Sequence, residues 1–319
     1  MKRTLSIIVV LLTVIIQKVG AQEPVPAPIS IVSEQAVHYR TVNVNGINIF
    51  YREAGPKDGP VVLLMHGFPT SSFMFRNLIP MLSDKFHVIA PDLPGFGFSD
   101  FPPREKYQYT FDNLAHTMQG FIDQMELKHF AIYIFDYGAP VGLRLAVSNP
   151  EKITGIITQN GNAYKEGLLD WAGGLVQAFW ADGSKKNRDA VRKFFSVDAT
   201  NFQYHQGVID KTLIAPESIL LDQHLMDRPG NVEMQLDLLR DYRTNIKLYP
   251  TFQEYFRKYK PKILAVWGSN DPYFSPAGAE GYKKDDPNTT VKFYNTGHFA
   301  LETNVKEIGA DVYSFLSSL

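Results

Sequence analysis

The sequence contains no cysteine, which excludes disulfide bonds and a cysteine-linked lipid anchor and is compatible with export. It also lacks an excess of either charge, because 32 Lys and Arg are matched by 33 Asp and Glu for a net charge of -1. A basic surface for nucleic acid is therefore not expected. The sequence has no internal repeat and no low-complexity tract. These absences leave a globular protein of ordinary composition.

A long apolar run is missing as well, even near the N-terminus. Lys2 and Arg3 precede an apolar run over residues 5–16, and small residues follow as far as Ala21. A membrane span needs about 20 apolar residues, so we predict a cleavable signal peptide over residues 1–21. An extended, proline-containing leader over residues 22–35 would follow. We therefore expect an exported protein, periplasmic or secreted, that has no stable membrane anchor after cleavage.

Strand-like and helix-like segments alternate through much of the remaining chain. A β-hairpin is predicted over residues 37–54, because the dipeptide Asn45-Gly46 favours a tight turn. Further strands are predicted at residues 61–65, 87–91, 131–135, 153–159, 263–267 and 290–294. Alternation of this kind predicts an α/β fold whose mostly parallel sheet is covered by helices on both faces.

Residues 162–250 interrupt this alternation. They carry no strand pattern, and residues 219–226 and 232–242 are amphipathic. We predict a helical cap inserted after the sixth strand, which divides the core domain into residues 36–161 and 251–319. A cap of this kind excludes water and carries side chains that face the substrate. The aromatic content of 13% fits a thick core or a lined apolar pocket.

Asp136 stands between a buried strand and a helix. It follows an apolar run at residues 130–135 and precedes a small-residue turn that contains Gly138. Strand, sharp turn and helix form a nucleophile elbow, which lifts one side chain into the mouth of the sheet. A carboxylate there displaces a leaving group from an sp3 carbon and forms an alkyl ester, whereas a serine attacks an acyl carbon. The alternative is that Asp136 caps the following helix.

Two further polar residues follow predicted strands, Asp271 and His298. Open α/β sheets place their sites at these strand ends. The order nucleophile, acid and histidine is that of α/β hydrolases. Taken singly, Asp271 is also suited to a turn before Pro272, and His298 to an ordinary loop. Together with Asp136 they favour a catalytic triad.

The sequence resembles the epoxide hydrolase and haloalkane dehalogenase branch of the α/β-hydrolase superfamily. The resemblance covers nearly the whole chain after the leader, through HGFPTSSFMFRN, APDLPGFGFSD, FDYGAPVG and the two later loops. It implies that Asp136 forms an ester, that His298 activates water to hydrolyse it, and that Asp271 orients the histidine. No cofactor or metal is expected. The expected partners are a small apolar organic substrate and water, and the oligomeric state stays open.

The same chemistry sets requirements for the surrounding groups. The oxyanion formed during ester hydrolysis needs two backbone N–H donors, which we expect from Phe68 and Tyr137. His66, in the HGFP turn, is expected to be structural because the site needs only one general base. Ile134 replaces the first glycine of the usual G-x-nucleophile-x-G pattern.

Two cap residues bear on the leaving group. Tyr242 resembles the ring-opening tyrosine of epoxide hydrolases, and a phenol with a pKa of about 10 stays protonated at neutral pH. Trp180 lies where epoxide hydrolases usually carry a second tyrosine and dehalogenases carry a tryptophan whose N–H holds the halide. Each residue is also compatible with simple packing, Tyr242 on a helix face and Trp180 in the core, where tryptophan is largely buried on average.

The two chemistries differ in which residues meet the leaving group. Dehalogenases hold the halide between a tryptophan after the nucleophile and either an asparagine in the HG-x-P turn or a cap tryptophan. Tyr137 and Phe68 occupy the first two positions here. HGFP and Tyr242 favour an epoxide, whereas PTSSFMFRN, Ile134 and Trp180 favour a halide. We predict an epoxide hydrolase that yields diols, with a haloalkane or haloacid dehalogenase as the alternative. A non-catalytic binding protein of the same fold is a third possibility, since fold does not fix function.

Overall fold

The computed structural model describes residues 36–170 and 172–319. The predicted signal peptide and the leader up to residue 35 lie outside the described residues and stay predictions. The strands are β1 (His38–Val44), β2 (Ile47–Ala54), β3 (Val61–Met65), β4 (His87–Pro91), β5 (Phe130–Phe135), β6 (Ile153–Gln159), β7 (Ile263–Gly268) and β8 (Thr290–Tyr294).

The strands form one eight-stranded sheet in the order β1-β2-β4-β3-β5-β6-β7-β8. The β1–β2 hairpin joins β4 in antiparallel fashion, and β3 to β8 run parallel to their neighbours. Asn45 and Gly46 turn the hairpin with φ values of 51° and 88°, as a tight two-residue turn requires. The predicted mostly parallel sheet is thereby confirmed.

Helices cover the sheet. They are α1 (Ile79–Leu82), α2 (Phe111–Gln124), α3 (Gly138–Ser148), α4 (Leu175–Ala181), α5 (Lys185–Val191), α6 (Val197–His205), α7 (Pro216–Met226), α8 (Asn231–Asp241), α9 (Arg243–Tyr259), α10 (Pro276–Asp285), α11 (Ala300–Thr303) and α12 (Val305–Ser317). None of these helices is long and apolar enough to cross a membrane.

Buried strand residues alternate between two hydrophobic cores. Ile132 and Ile134 of β5 pack into one core with α2, α3 and α9, whereas Ala131 and Tyr133 pack into a second core with α1 and α12. Side chains of successive strand residues point to opposite faces, so the two cores lie on opposite faces of the sheet. All six residues of β5 are buried. The strand that leads to Asp136 is therefore fixed from both sides.

The segment between β6 and β7 contains α4 to α9, and its described residues add no strand to the sheet. Helices α4, α5 and α8 have an apolar core of their own that includes Val176, Phe179 and Leu236. Helix α9 passes through the predicted cap boundary at residue 250, since Pro250 lies inside it. Its residues Tyr249 and Phe256 pack in the core on the α3 side of the sheet. Helix α9 thus joins the inserted helices to the sheet, and the boundaries proposed for the cap stay a prediction.

Candidate active site

Asp136 occupies the sharp turn between β5 and α3. Its φ is 46°, a left-handed conformation that costs a non-glycine residue on the order of 1 kcal/mol or more. The helix starts so close behind that a Cβ on Gly138 would overlap the carbonyl oxygen of Met65. Ile134 is accommodated because Gly142 in α3 leaves room for its side chain. This is the geometry of a nucleophile elbow, and α3 has no side-chain cap, so Asp136 does not serve as one.

The carboxylate of Asp136 is held by backbone donors. The N–H of Phe68 donates to Oδ1 at 2.6 Å, and the N–H of Tyr137 also donates to the carboxylate. Burial raises the pKa of Asp136 to about 6, while His298 and the two N–H donors oppose the rise. The structure therefore places Phe68 and Tyr137 where an oxyanion on Asp136 would need them. Gln203 in α6, which the sequence did not single out, donates to the carbonyl oxygen of Phe68 at 2.9 Å.

His298 lies between two carboxylates. Its Nδ1 contacts Oδ2 of Asp271 at 2.7 Å, and its Nε2 lies 3.8 Å from Oδ2 of Asp136. The ring is fully buried, and Nε2 has no hydrogen-bond partner among the described residues. Burial lowers the pKa of His298, but the charges of both carboxylates and the bond to Asp271 outweigh burial and raise it. The predicted nucleophile, acid and histidine are thus brought together, with Nε2 aimed at the nucleophile.

Asn160 holds the carboxylate of Asp271 in place, and the sequence analysis did not single it out. It follows β6 with a φ of 43°. Its Nδ2 donates to Oδ2 of Asp271 at 2.7 Å, while its Oδ1 accepts from the N–H of Gly268 at 2.9 Å. The N–H of Tyr273 donates to the other oxygen of Asp271 at 2.7 Å. The signal was available, because Asn160 is a polar residue directly after a predicted strand, as Asp136 is.

His66 is structural, as expected. Its Nδ1 lies 2.9 Å from the carbonyl oxygen of Gly67, and its Nε2 lies 2.9 Å from the backbone N–H of Leu93. Nδ1 therefore donates and Nε2 accepts, which is the pattern of a neutral imidazole. Burial lowers the pKa of His66, in agreement with this state. His66 fastens the turn that carries Phe68 to the loop after β4.

A cavity of about 420 Å³ opens beside Asp136. Its aromatic walls include Phe68, Tyr137, Trp180, Phe195, Tyr242 and Phe274. Among the described residues, Asp136 and Asp170 are the charged side chains that line it, and no Lys, Arg or His joins them. The described residues contain no group of three or more His, Cys, Asp or Glu that could hold a metal ion. The cavity is suited to an uncharged, largely apolar molecule.

Tyr242 and Trp180 both line the cavity, but their polar groups differ in whether they can reach a substrate. Their rings stack at 5.8 Å with an interplanar angle of 7°. The indole N–H of Trp180 donates to the carbonyl oxygen of Leu239 at 2.7 Å. The N–H that would hold a halide is therefore engaged within the cap, and Trp180 contributes an apolar wall. Burial raises the pKa of Tyr242 well above its ordinary value, so its hydroxyl is a proton donor at neutral pH.

Comparison with known proteins agrees with this geometry. A family described as alpha/beta hydrolase fold matches residues 60–305. An uncharacterized hydrolase of Saccharomyces cerevisiae is 48% identical over 277 residues, which cover 86% of this chain and 94% of that protein. A haloalkane dehalogenase of Psychrobacter cryohalolentis is 38% identical over 115 residues, or 36% of this chain and 38% of that protein.

A solved structure titled epoxide hydrolase CorEH shares the fold with a TM-score of 0.72 at 20% identity, over 89% of this chain and 99% of its own. The chain belongs to the α/β-hydrolase fold family, in the branch that contains haloalkane dehalogenases and epoxide hydrolases.

Proposed function

We propose that the protein is an epoxide hydrolase that opens an uncharged epoxide through an ester on Asp136. The observation that carries the proposal is the pairing of Asp136 with the protonated hydroxyl of Tyr242 in one apolar cavity. A carboxylate supplies the nucleophile, and a phenol supplies the proton that the leaving oxygen of an epoxide needs.

In the proposed mechanism the two carboxylate oxygens of Asp136 have different tasks, which their contacts support. Oδ1 accepts from Phe68, whereas Oδ2 faces Nε2 of His298. Attack by Oδ2 on an epoxide carbon forms the ester bond as the ring C–O bond breaks, and Tyr242 gives its proton to the leaving oxygen. Oδ1 then remains as the ester carbonyl oxygen, already in contact with the donor that will stabilise it.

Hydrolysis of the ester uses the second half of the site. Nε2 of His298 takes a proton from water as the water oxygen attacks the carboxyl carbon of Asp136. Negative charge develops on Oδ1, which accepts from Phe68, and the N–H of Tyr137 donates to the same carboxyl group. Asp271 stabilises the imidazolium. Over one cycle a single water is consumed, and its two hydrogens end on the two oxygens of the diol.

A dehalogenase is supported less well, because the residues at the halide-holding positions do not supply the expected donors. Trp180 uses its N–H on Leu239, and Phe68 and Tyr137 supply aromatic rings where dehalogenases supply an asparagine and a tryptophan. A haloacid would also bring its carboxylate beside Asp136 and Asp170 in a cavity that no described cation lines. Burial of an unpaired charge is costly, so the site favours a neutral substrate.

The proposal is tested by offering the protein styrene oxide and 1-bromohexane in separate reactions. We expect a diol from the epoxide and little or no bromide from the haloalkane. In a single turnover in ¹⁸O-water, the label should enter the carboxyl of Asp136 and not the diol. Bromide release without diol formation would instead establish a dehalogenase, and turnover of neither compound class would favour a binding protein.

The pKa of Asp136 sets the expected pH dependence. Since burial raises that pKa to about 6, the nucleophile is protonated and inactive below this pH. We expect kcat/KM to rise through about pH 6 and then to level off, because Tyr242 keeps its proton in the alkaline range. Rates of ester formation measured between pH 4.5 and 9 check this, and a profile that is flat from pH 5 upward contradicts it.

The Trp180→Phe variant tests whether Trp180 only forms an apolar wall of the cavity or also donates a hydrogen bond to the leaving group. Phenylalanine preserves an aromatic wall and removes an N–H that already bonds to Leu239. We expect diol formation to change by no more than a few-fold, since the lost contact is one neutral hydrogen bond worth about 1 kcal/mol. A loss of about 10²-fold in ester formation would show that Trp180 donates to the leaving group after all.

A further inference from the structure

The turn that carries Phe68 is held from two directions. His66 holds it from within, since its Nδ1 donates to the carbonyl oxygen of Gly67 at 2.9 Å, and this carbonyl belongs to the same peptide group as the N–H of Phe68. Gln203 holds it from outside, because its Nε2 donates to the carbonyl oxygen of Phe68 at 2.9 Å. A carbonyl oxygen only accepts, so the direction of this hydrogen bond is fixed. The peptide groups on both sides of the Cα of Phe68 are thereby fastened.

Gln203 is itself fixed by the packing of helix α6. It is 5% exposed and lines the cavity. Its neighbour Tyr204 stacks on Phe299 with ring centroids 4.0 Å apart and an interplanar angle of 2°. Thr200, about one turn earlier, donates to Gln223 of α7 at 2.7 Å. Helix α6 therefore contacts both the turn that carries Phe68 and the loop after β8.

We propose that Gln203 is a positioning residue through which α6 holds the N–H of Phe68 against Asp136 during ester hydrolysis. This N–H donates to Oδ1 at 2.6 Å, the oxygen on which negative charge develops in the proposed mechanism. Groups that stabilise a transition state have to be held within about 0.5 Å of their productive position. Without Gln203 the carbonyl of Phe68 loses its donor, and the turn is free to shift. The chemical step rests on the proposed function, whereas the placement of the N–H does not.

The two half-reactions make opposite demands on this N–H. In ester formation the charge on Oδ1 of Asp136 falls, because a carboxylate oxygen becomes an ester carbonyl oxygen. In ester hydrolysis the charge on Oδ1 grows, and a hydrogen bond becomes stronger as its acceptor becomes charged. An interaction accelerates a step only if it is stronger in the transition state than before it. Gln203 should therefore support ester hydrolysis and not ester formation.

The contact from Phe68 also affects the pKa of Asp136. Burial raises this pKa to about 6, His298 and the N–H groups of Phe68 and Tyr137 oppose the rise, and the charge of Asp271 adds to it. A weaker hydrogen bond from Phe68 removes part of the opposition, so the pKa should rise further. The carboxylate then forms at higher pH, and the pH midpoint of ester formation should move upward.

Gln203→Met keeps the length of the side chain and removes its N–H donor. We expect ester hydrolysis in a single turnover of styrene oxide to slow about ten-fold, less than the 10²-fold or more that loss of a whole oxyanion donor costs. Ester formation at pH 8 should keep about the wild-type rate, and its pH midpoint should move upward. Gln203→Asn, whose amide is too short by one carbon–carbon bond, should show the same pattern and replaces the methionine variant if that variant does not fold.

Gln223→Met is the matched control. Gln223 is a buried glutamine of α7 that accepts from Thr200 and donates to Asp227 at 2.8 Å, and it does not line the cavity. Its loss loosens the packing of α6 on α7 without removing a bond to Phe68, so the ratio of the two half-reaction rates should stay at the wild-type value. The same change of ratio in Gln223→Met, or equal slowing of both half-reactions in Gln203→Met, would overturn the positioning role.

The amide proton of Phe68 reports on the same contact without turnover. Labelling with ¹³C-carbonyl glycine and ¹⁵N-phenylalanine selects the Gly-Phe peptide groups in NMR spectra, and the Phe68 signal is the one whose titration disappears in Asp136→Asn. We expect this proton to move upfield in Gln203→Met and to titrate at higher pH, with wild-type values in Gln223→Met. An unchanged resonance in Gln203→Met would refute the positioning role. The expected shifts without any diol from styrene oxide would leave that role standing and refute the epoxide hydrolase.

Discussion

A His298→Gln variant is expected to stop after the first half of the reaction and to accumulate a covalent ester on Asp136. Glutamine has no basic nitrogen to replace Nε2, which lies 3.8 Å from Asp136 and has no other partner in the described chain. Attack by Asp136 does not need this base, so one equivalent of epoxide should still react. Loss of general-base help lowers steady-state diol formation by roughly 10²- to 10⁴-fold. Intact mass and peptide mapping after incubation with styrene oxide measure both effects.

Two further variants make this result specific. Asp136→Ala in the His298→Gln background should remove the adduct, because the nucleophile is gone. His205→Gln changes a histidine in α6 that bonds to the carbonyl of Asn201 and does not line the cavity, so it should turn over normally. Wild-type turnover by Asp136→Ala, or an adduct on another residue, would end the assignment of Asp136 as nucleophile.

The three triad residues could be predicted from the sequence because open α/β sheets place their sites at the ends of strands. Asp136, Asp271 and His298 each follow a predicted strand, and the carboxyl ends of parallel strands meet at one edge of the sheet. The strands and the hairpin turn could be predicted for a related reason, since apolar runs and Asn45-Gly46 are local signals. The rule applied equally to Asn160, but without a charge or a base that residue drew no attention.

Other contacts depend on segments that are distant in the chain. Gln203 and Phe68 are 135 positions apart, and their hydrogen bond exists only because α6 packs over the HGFP turn. The N–H of Trp180 bonds to Leu239 across 59 positions, so its direction follows from how α4 and α8 pack together. The family resemblance placed Trp180 among the cap residues that bear on the leaving group, but it carried no information about which acceptor the indole N–H would bond to.

The end of the cap illustrates a conflict between local and tertiary preferences. The predicted cap ends at Pro250, and a proline removes a helix hydrogen bond and costs about 3 kcal/mol inside a helix. Helix α9 nevertheless continues to Tyr259. Tyr249, Phe252 and Phe256 lie on its buried side, and burial of a large apolar side chain contributes about 1.5–3 kcal/mol. Packing of three such residues outweighs the local cost of one proline.

A Tyr242→Phe variant is expected to slow ester formation by about 10²-fold, the usual contribution of a general acid. The ring should stay in place, because its contacts with Trp180, Phe111 and Tyr137 do not involve the hydroxyl. Stability should therefore fall by only about 1 kcal/mol, the value of one lost hydrogen bond. Rapid-mixing measurements of a single turnover, together with thermal unfolding, separate these effects.

The two half-reactions distinguish an acid from a packing residue. Ester hydrolysis relies on His298 and the N–H groups of Phe68 and Tyr137, so it should proceed in Tyr242→Phe at close to the wild-type rate. A packing defect would instead slow both halves and lower the unfolding temperature. Epoxides with a more acidic leaving alcohol need less protonation, so the deficit of the variant should shrink as the alcohol becomes more acidic. A defect confined to ester formation would identify the hydroxyl of Tyr242 as the acid, because no other role of this hydroxyl predicts such a defect. An undiminished rate of ester formation in Tyr242→Phe would show that another group protonates the leaving oxygen.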